Sequence, residues 1–198
     1  MKLKGKRVLI TGATRGIGKA TAELLTKKGC EVISFGSLTC DLTSPQQIAD
    51  FVISLKSKID VLINNAGYFF TSPFVDSDLL EWDHTFRINV RAPFLLIRDL
   101  YGLERFASQP IILNINSWDI VKHPVQQIAY NCSKAALQEL TICLAKELFM
   151  EKILVTQIML PTTRTDMLKT LNKVNPLPKK MLTTNQAARL IWKKLEGI

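Results

Sequence analysis

Apolar residues in this chain follow two rhythms that alternate along its length. Short solid runs give way to longer stretches in which apolar positions return every third or fourth residue. The runs Arg7-Val8-Leu9-Ile10-Thr11, Glu31-Val32-Ile33-Ser34-Phe35, Asp60-Val61-Leu62-Ile63-Asn64, Ile111–Asn116 and Ile153–Leu160 predict buried strands. Between them the spacing predicts helices. One begins near Gly16, puts Ile17, Ala20, Leu24 and Leu25 on one stripe, and has Gly29 placed to close its end. Ser44-Pro45-Gln46-Gln47 starts another, with Ser as N-cap, Pro in the first position and Gln completing a capping box. A long helical region lies within Asp78–Phe106, where Pro93 should kink or break it. Ala129–Leu148 carries Leu137, Leu140, Leu144 and Leu148 on one side, and Thr184–Leu195 is the last helix. Strands alternating with helices predict an α/β protein whose parallel sheet is covered on both faces.

Composition narrows the class. The 198 residues, 47% hydrophobic and 22% charged, suit one globular domain spanning 1–198 and not a disordered chain. The basic start, Met1 to Arg7, runs into an apolar segment too short for a signal-peptide core, and no stretch approaches the ~20 apolar residues of a membrane span. Cys30, Cys40, Cys132 and Cys143 show no C-x-x-C spacing, so reduced thiols and a cytoplasmic location are expected. His84 and His123 lack metal-ligand spacing, and no metal is expected; His84 reads as a structural helix residue and His123 as a solvated loop residue. The formal charge is +9, and from Met167 to Leu195 there are seven Lys or Arg and no Asp or Glu. Such a stretch suits a solvated face, or an anionic partner such as a phosphorylated cofactor or acidic carrier protein. Aromatics are not interleaved with the basic residues, which argues against a nucleic-acid module.

Chemistry concentrates at Ser117 and at Tyr130-Asn131-Cys132-Ser133-Lys134. A phenol and an ammonium four residues apart share one helix face, and the cation is expected to lower the tyrosine pKa from its usual ~10. A phenol tuned in that way passes a proton to or from a substrate oxygen near neutral pH. Upstream, Thr11-Gly12-Ala13-Thr14-Arg15-Gly16-Ile17-Gly18 is a glycine-rich turn between strand and helix, which aims helix amides at a pyrophosphate. Asn64-Asn65-Ala66-Gly67 ends a strand, and Asn89 lies in a helix.

Those elements in that order resemble the short-chain dehydrogenase/reductase family over most of the chain. The resemblance implies a Rossmann-type doubly wound parallel sheet, here of about five strands. Too few residues separate Phe35 from Asp41 for the helix and third strand usual in the family, so Gly36–Asp41 should be a loop, and a trimmed sheet without the family's final strand is expected. By resemblance, Tyr130 is the general acid or base, Ser117 orients the substrate oxygen, Lys134 lowers the tyrosine pKa and holds the nicotinamide ribose, and Asn89 connects Lys134 to solvent through water. The cofactor residues it implies are Gly12, Thr14, Arg15, Gly16, Ile17, Gly18 and Ser37, then Asn64, Ala66 and Gly67, with Tyr130 and Lys134. Asp41-Leu42 resembles a pair that contacts adenine, although Asp41 also reads as a helix-start residue. Pro161-Thr162-Thr163-Arg164-Thr165 resembles the segment that binds the nicotinamide amide; Pro161, Thr163 and Thr165 are the candidates, and the alignment between the two threonines is open. Leu168–Lys180 takes the place of a substrate lid. Trp118 is the expected aromatic wall of the pocket.

No carboxylate follows the second strand, where Phe35-Gly36-Ser37 stands, and Arg15 can pair with a 2′-phosphate, so NADP(H) is favoured over NAD(H). The expected activity is hydride transfer between nicotinamide and a carbonyl or alcohol substrate, with carrier-protein and coenzyme A thioesters within that class. The alternative is a catalytically weak nucleotide-binding regulator or scaffold that retains the fold. The resemblance also implies a homodimer through the helices of 78–106 and 129–148.

Overall fold

In a computed structural model, residues 3–35, 40–170 and 178–198 are described. The chain runs through β1 (Arg7–Thr11), α1 (Gly16–Lys27), β2 (Glu31–Phe35), α2 (Pro45–Ser54) and β3 (Ile59–Asn64). It continues through α3 (Leu79–Phe86), α4 (Ala92–Gly102), β4 (Phe106–Ser117), α5 (Asp119–Lys122), α6 (Ile128–Glu147), β5 (Leu154–Leu160) and α7 (Thr184–Glu196). The five strands form one parallel sheet in the order β2-β1-β3-β4-β5. The expected α/β sheet of five strands is therefore present, and the described residues between β2 and α2 hold neither helix nor strand.

Solid apolar runs make these strands because both faces are covered. Val8 and Ile10 of β1, Val61 and Ile63 of β3 and Ile111, Leu113 and Ile115 of β4 pack with Leu25 of α1 and Ile191 and Leu195 of α7. Leu9, Leu62 and Ile112, one position out of phase, pack with Ile48 and Val52 of α2 and Leu96 and Leu100 of α4. Each fully buried Leu or Ile contributes about 1.5–3 kcal/mol, so the alternation holds a helical layer to each side. No helix among the described residues is long and apolar enough to cross a membrane.

Three boundaries differ from expectation. Phe106 begins β4 instead of ending a helix: it pairs with Ile59 and is buried in the core, with a register shift before Val61 pairs Ile111. Residues 107–110 find no partner in β3 and bulge between those two pairings, with Gln109 at φ +54°. The α2 capping box is only half formed. Ser44 accepts from the Gln47 amide at 3.3 Å, but the Gln47 side chain reaches back past Ser44 to accept from the Asp41 N–H at 2.8 Å. The helical stretch from Leu79 to Gly102 deviates before Pro93, through a π-helical segment at Arg87–Arg91. Pro93 sits in the first turn of α4 and has no N–H to offer the Asn89 carbonyl four residues earlier, so that carbonyl lacks its α-helical donor.

Candidate active site

The sheet order reverses between β1 and β3, which opens a crevice beyond their carboxyl ends. Thr11, the last residue of β1, ties the crevice together. Its buried Oγ1 accepts from the Asn65 amide at 3.0 Å and from the Ala66 amide at 2.9 Å. Asn65 returns the contact, its Nδ2 donating to the Thr11 carbonyl at 2.9 Å and the Gly12 carbonyl at 3.2 Å. Two glycines are required here. A Cβ on Gly18 would lie 2.2 Å from the Gly12 carbonyl oxygen and 2.4 Å from Asn65 Nδ2, and Gly12, at φ +67°, would place one 2.9 Å from Ala66 Cα. Both are closer than any side chain tolerates.

Above this turn lies a cavity of about 260 Å³ walled by Gly12, Thr14, Arg15, Gly16, Ile17 and Gly18, by Cys40, Asp41 and Leu42, and by Asn65, Ala66 and Gly67. It suits an anion. Ser44, Asp78 and Thr183 cap α2, α3 and α7 with side-chain oxygens, whereas Arg15 leaves the first amides of α1 uncapped and no acidic residue occupies its first turn. Asp41 accepts from the Thr43 amide and hydroxyl, which holds its carboxyl below the usual range. It therefore serves as both helix-start residue and cavity wall. Ser37 lies outside the described residues. Asn64 is absent from the wall: it is buried in the sheet, donating to Asn114 Oδ1 at 2.8 Å, and Asn114 donates on to Thr141 of α6. Its part is to join sheet and helix.

A second cavity, about 240 Å³, adjoins the first and shares Ile17, Asn65, Gly67, Thr165 and Met167 with it. Ser117, Tyr130 and Lys134 converge on it. Position follows from secondary structure: Ser117 ends β4, and Tyr130 and Lys134 stand one turn apart on α6. Two inward polar residues of β4 lock the helix to the strand. Asn114 bonds Thr141, and Asn116 Nδ2 donates to the Lys134 carbonyl at 3.1 Å and to Gln157 of β5 at 2.8 Å. Ser117 Oγ accepts from the Asp119 amide at 3.2 Å. Lys134 is buried, donates from Nζ to the Ile115 carbonyl at 2.9 Å, and lies 5.9 Å from the Tyr130 ring centroid.

The electrostatics correct one expectation. Burial pushes the Tyr130 phenol up to about 12, opposed by the Ser117 hydroxyl and reinforced by the Asp119 carboxylate. Burial also lowers the Lys134 ammonium to about 8. The net shift of Tyr130 in this state is upward because desolvation dominates.

Asn89, in the π segment, spends both side-chain donors, on the Tyr68 carbonyl at 2.9 Å and Ser133 Oγ at 2.9 Å, while its Oδ1 accepts from the Tyr68 amide at 2.7 Å. The side chain is thus a clamp, and Pro93 leaves the Asn89 carbonyl without its α-helical donor. Pro161 and both threonines border the second cavity, but their hydroxyls differ. Thr163 donates to the Pro161 carbonyl at 2.9 Å, whereas Thr165 borders both cavities beside Gly16. Leu168 and Pro178 line the wall; residues 171–177 of the expected lid lie outside the described residues. Trp118 is 43% exposed and absent from the wall, and Phe69 takes its place, edge-on to the Tyr130 ring at 4.9 Å. His123 is an exposed α5-end residue, and His84 packs edge-on against Tyr68.

Thr11, Asn65 and Gln127, like Phe69, were not anticipated at the site. Thr11 and Asn65 sit inside the quoted motifs and could have been found there. Gln127 lies three residues before Tyr130, a spacing that puts both on one helix face.

Comparison with known proteins agrees with this geometry. A family model described as short chain dehydrogenase matches residues 6–38 and 34–176. The 3-oxoacyl-[acyl-carrier-protein] reductase of Aquifex aeolicus is 31% identical over 200 residues, covering 87% of this chain and 80% of that protein. The L-xylulose reductase of Caenorhabditis elegans is 31% identical over 186 residues, covering 82% and 73%. Among solved structures, a short chain dehydrogenase from Burkholderia cenocepacia in complex with NADP superposes with a TM-score of 0.87 at 22% identity, covering 100% of this chain and 87% of that one. A 3-ketoacyl-(acyl-carrier-protein) reductase from Brucella melitensis complexed with NADH gives 0.85 at 24%, covering 96% and 90%. This chain belongs to the short-chain dehydrogenase family, whose members are nicotinamide-dependent dehydrogenases and reductases.

Proposed function

We propose that this protein is an NADPH-preferring oxidoreductase that interconverts a small carbonyl compound and its alcohol, with Tyr130 as general acid in reduction and base in oxidation. The observation that carries the reading is the convergence of Ser117, Tyr130 and Lys134 on one cavity that shares a wall with the glycine-turn cavity. The nicotinamide, when bound, supplies or accepts the hydride. Gly12, Gly16 and Gly18 would hold its pyrophosphate and Arg15 its 2′-phosphate, and Gly67, Thr165 and Lys134 would border the nicotinamide end.

The chain's own residues handle the proton. Ser117 Oγ accepts from the Asp119 amide, and its hydroxyl, which bonds the Tyr130 phenol, turns its hydrogen to the substrate oxygen when substrate enters. Tyr130 gives its phenolic proton to the same oxygen, completing the alcohol, and the Lys134 cation nearby favours the phenolate left behind. Lys134, with its ammonium at about 8, is mostly charged at pH 7. Asn89 holds the Tyr68 segment beside Lys134 and leaves its carbonyl for the relay.

Preference for NADPH is supported by Arg15 on the cavity wall and by the lack of a carboxylate at Phe35-Gly36-Ser37. Titration with NADPH and NADH, read by cofactor fluorescence, tests it. NADPH should bind more tightly, and Arg15→Ala should weaken NADPH roughly tenfold while leaving NADH unchanged. Binding of neither cofactor overturns the reading. The reading includes a homodimer through α3, α4 and α6, supported by a hollow between Phe86, Val90, Phe94 and Leu140 on that face. Sedimentation showing only monomer or only tetramer would sink it.

A further inference from the structure

Gln127 precedes Tyr130 by three residues and Lys134 by seven, so all three fall on one stripe where α6 begins. Its carbonyl accepts from the Asn131 amide at 2.8 Å, which starts the helix, while its side chain does not cap that helix. The residue is 4% exposed, lines the Tyr130 cavity, and its Oε1 has no hydrogen-bond partner among the described residues. A buried carbonyl oxygen left without a donor is costly.

The polar groups around that cavity are mixed: Asp119 and Gln127 Oε1 accept, Ser117 and Tyr130 can donate to a substrate oxygen, and Lys122 carries a cation. Hydroxyl groups both donate and accept, so a hydroxylated carbonyl compound satisfies such a set better than a bare ketone does. Residues three apart on a helix have Cβ atoms about 5–6 Å from each other. A hydroxyl one or two carbons from the reacting carbonyl is therefore the group that Gln127 can meet while Tyr130 holds the carbonyl oxygen.

We propose that Gln127 is a specificity-determining residue whose Oε1 accepts a hydrogen bond from a substrate hydroxyl, so that the site selects hydroxy ketones and their diol products over the deoxy analogues. The inference rests on the oxidoreductase reading above, and the test separates the two.

A short hydroxy ketone and the matching ketone without its hydroxyl are compared as substrates of the wild-type protein, Gln127→Met and Gln127→Glu, with NADPH binding and thermal stability measured on each. The wild type should favour the hydroxy ketone in kcat/KM by roughly tenfold to a hundredfold. Gln127→Met should erase that preference while keeping turnover of the plain ketone, NADPH affinity and melting temperature, because it removes an unpaired acceptor without changing length. Gln127→Glu, which keeps an acceptor, should retain part of the preference. Equal losses on both ketones in Gln127→Met would reveal a structural residue, and no preference in the wild type would also overturn the proposal. A coenzyme A acyl thioester is the third substrate. If Gln127→Met damages it as deeply as the hydroxy ketone, an amide N–H is the donor and the hydroxyl assignment fails. NADPH binding with turnover of no substrate would remove the oxidoreductase reading itself.

Discussion

The two cavities at the carboxyl edge of the sheet are neighbours with a shared wall, yet they are built differently. The glycine-turn cavity is largely main chain: the amides of α1, the Gly12 carbonyl and the close passage of Gly18 beside Asn65 define it. The Tyr130 cavity is largely side chain, assembled from the ends of β4 and β5, the start of α6 and the segments after Gly67 and Pro161. Main-chain cavities need a particular backbone and so are intolerant of any added atom. Side-chain cavities keep their shape through packing and can exchange chemistry with little change in fold.

That contrast sets the order of expected effects. Gly18→Ala should be the most damaging change, because its methyl would have to occupy space held by the Gly12 carbonyl and Asn65. A loss of about 3 kcal/mol or more in urea unfolding, together with lost cofactor binding, is expected; an unaltered unfolding midpoint would break the comparison. Tyr130→Phe should act on the other cavity alone. Turnover should fall by roughly 10²–10⁴-fold with cofactor affinity and stability kept, and a parallel loss of affinity would mean that the cavities are not separable.

Lys134 gives a smaller, pH-dependent effect. Its folded-state pKa, about 8, lies below the ordinary value of 10.5, so the unfolded chain binds more protons between them. Burying the charged ammonium costs stability in full below pH 8, and the cost is relieved as pH rises toward 10.5. The ligand-free protein should therefore gain on the order of 2 kcal/mol between pH 7 and pH 10 relative to Lys134→Met. Denaturant titrations at both pH values decide the sign; a wild type that loses stability relative to the variant over that interval contradicts the burial argument. Above pH 10 the raised Tyr130 works oppositely, since the unfolded tyrosine ionises first. Smallest of all, Trp118→Ala should change stability and kcat/KM little, within about 0.5 kcal/mol, because the ring lies on the surface. A clear rise in KM would place it back at the substrate.

Much of this molecule could be read from the order of its residues. Strand runs and helix stripes are local patterns, and the glycine turn, the Asn-Asn-Ala-Gly segment and the Ser117, Tyr130, Lys134 spacing each encode a backbone geometry or a shared helix face. Errors arose where a distant partner decides. Phe106 joins the sheet because Ile59 pairs with it, and Gln47 turns to Asp41 instead of Ser44. Asn64 faces Asn114 and not the cavity, and Phe69 supplies the wall assigned to Trp118.

What the sequence alone determined is the architecture and the cast of candidate groups, since periodicity, turn chemistry and fixed spacing act over a few residues. Only the tertiary structure decided the state of those groups. Burial at the junction of β4, β5 and α6 raises Tyr130, lowers Lys134 and leaves the Gln127 oxygen without a partner. Desolvation and hydrogen-bond satisfaction depend on what segments far apart in the chain place around an atom, and no local pattern carries that information.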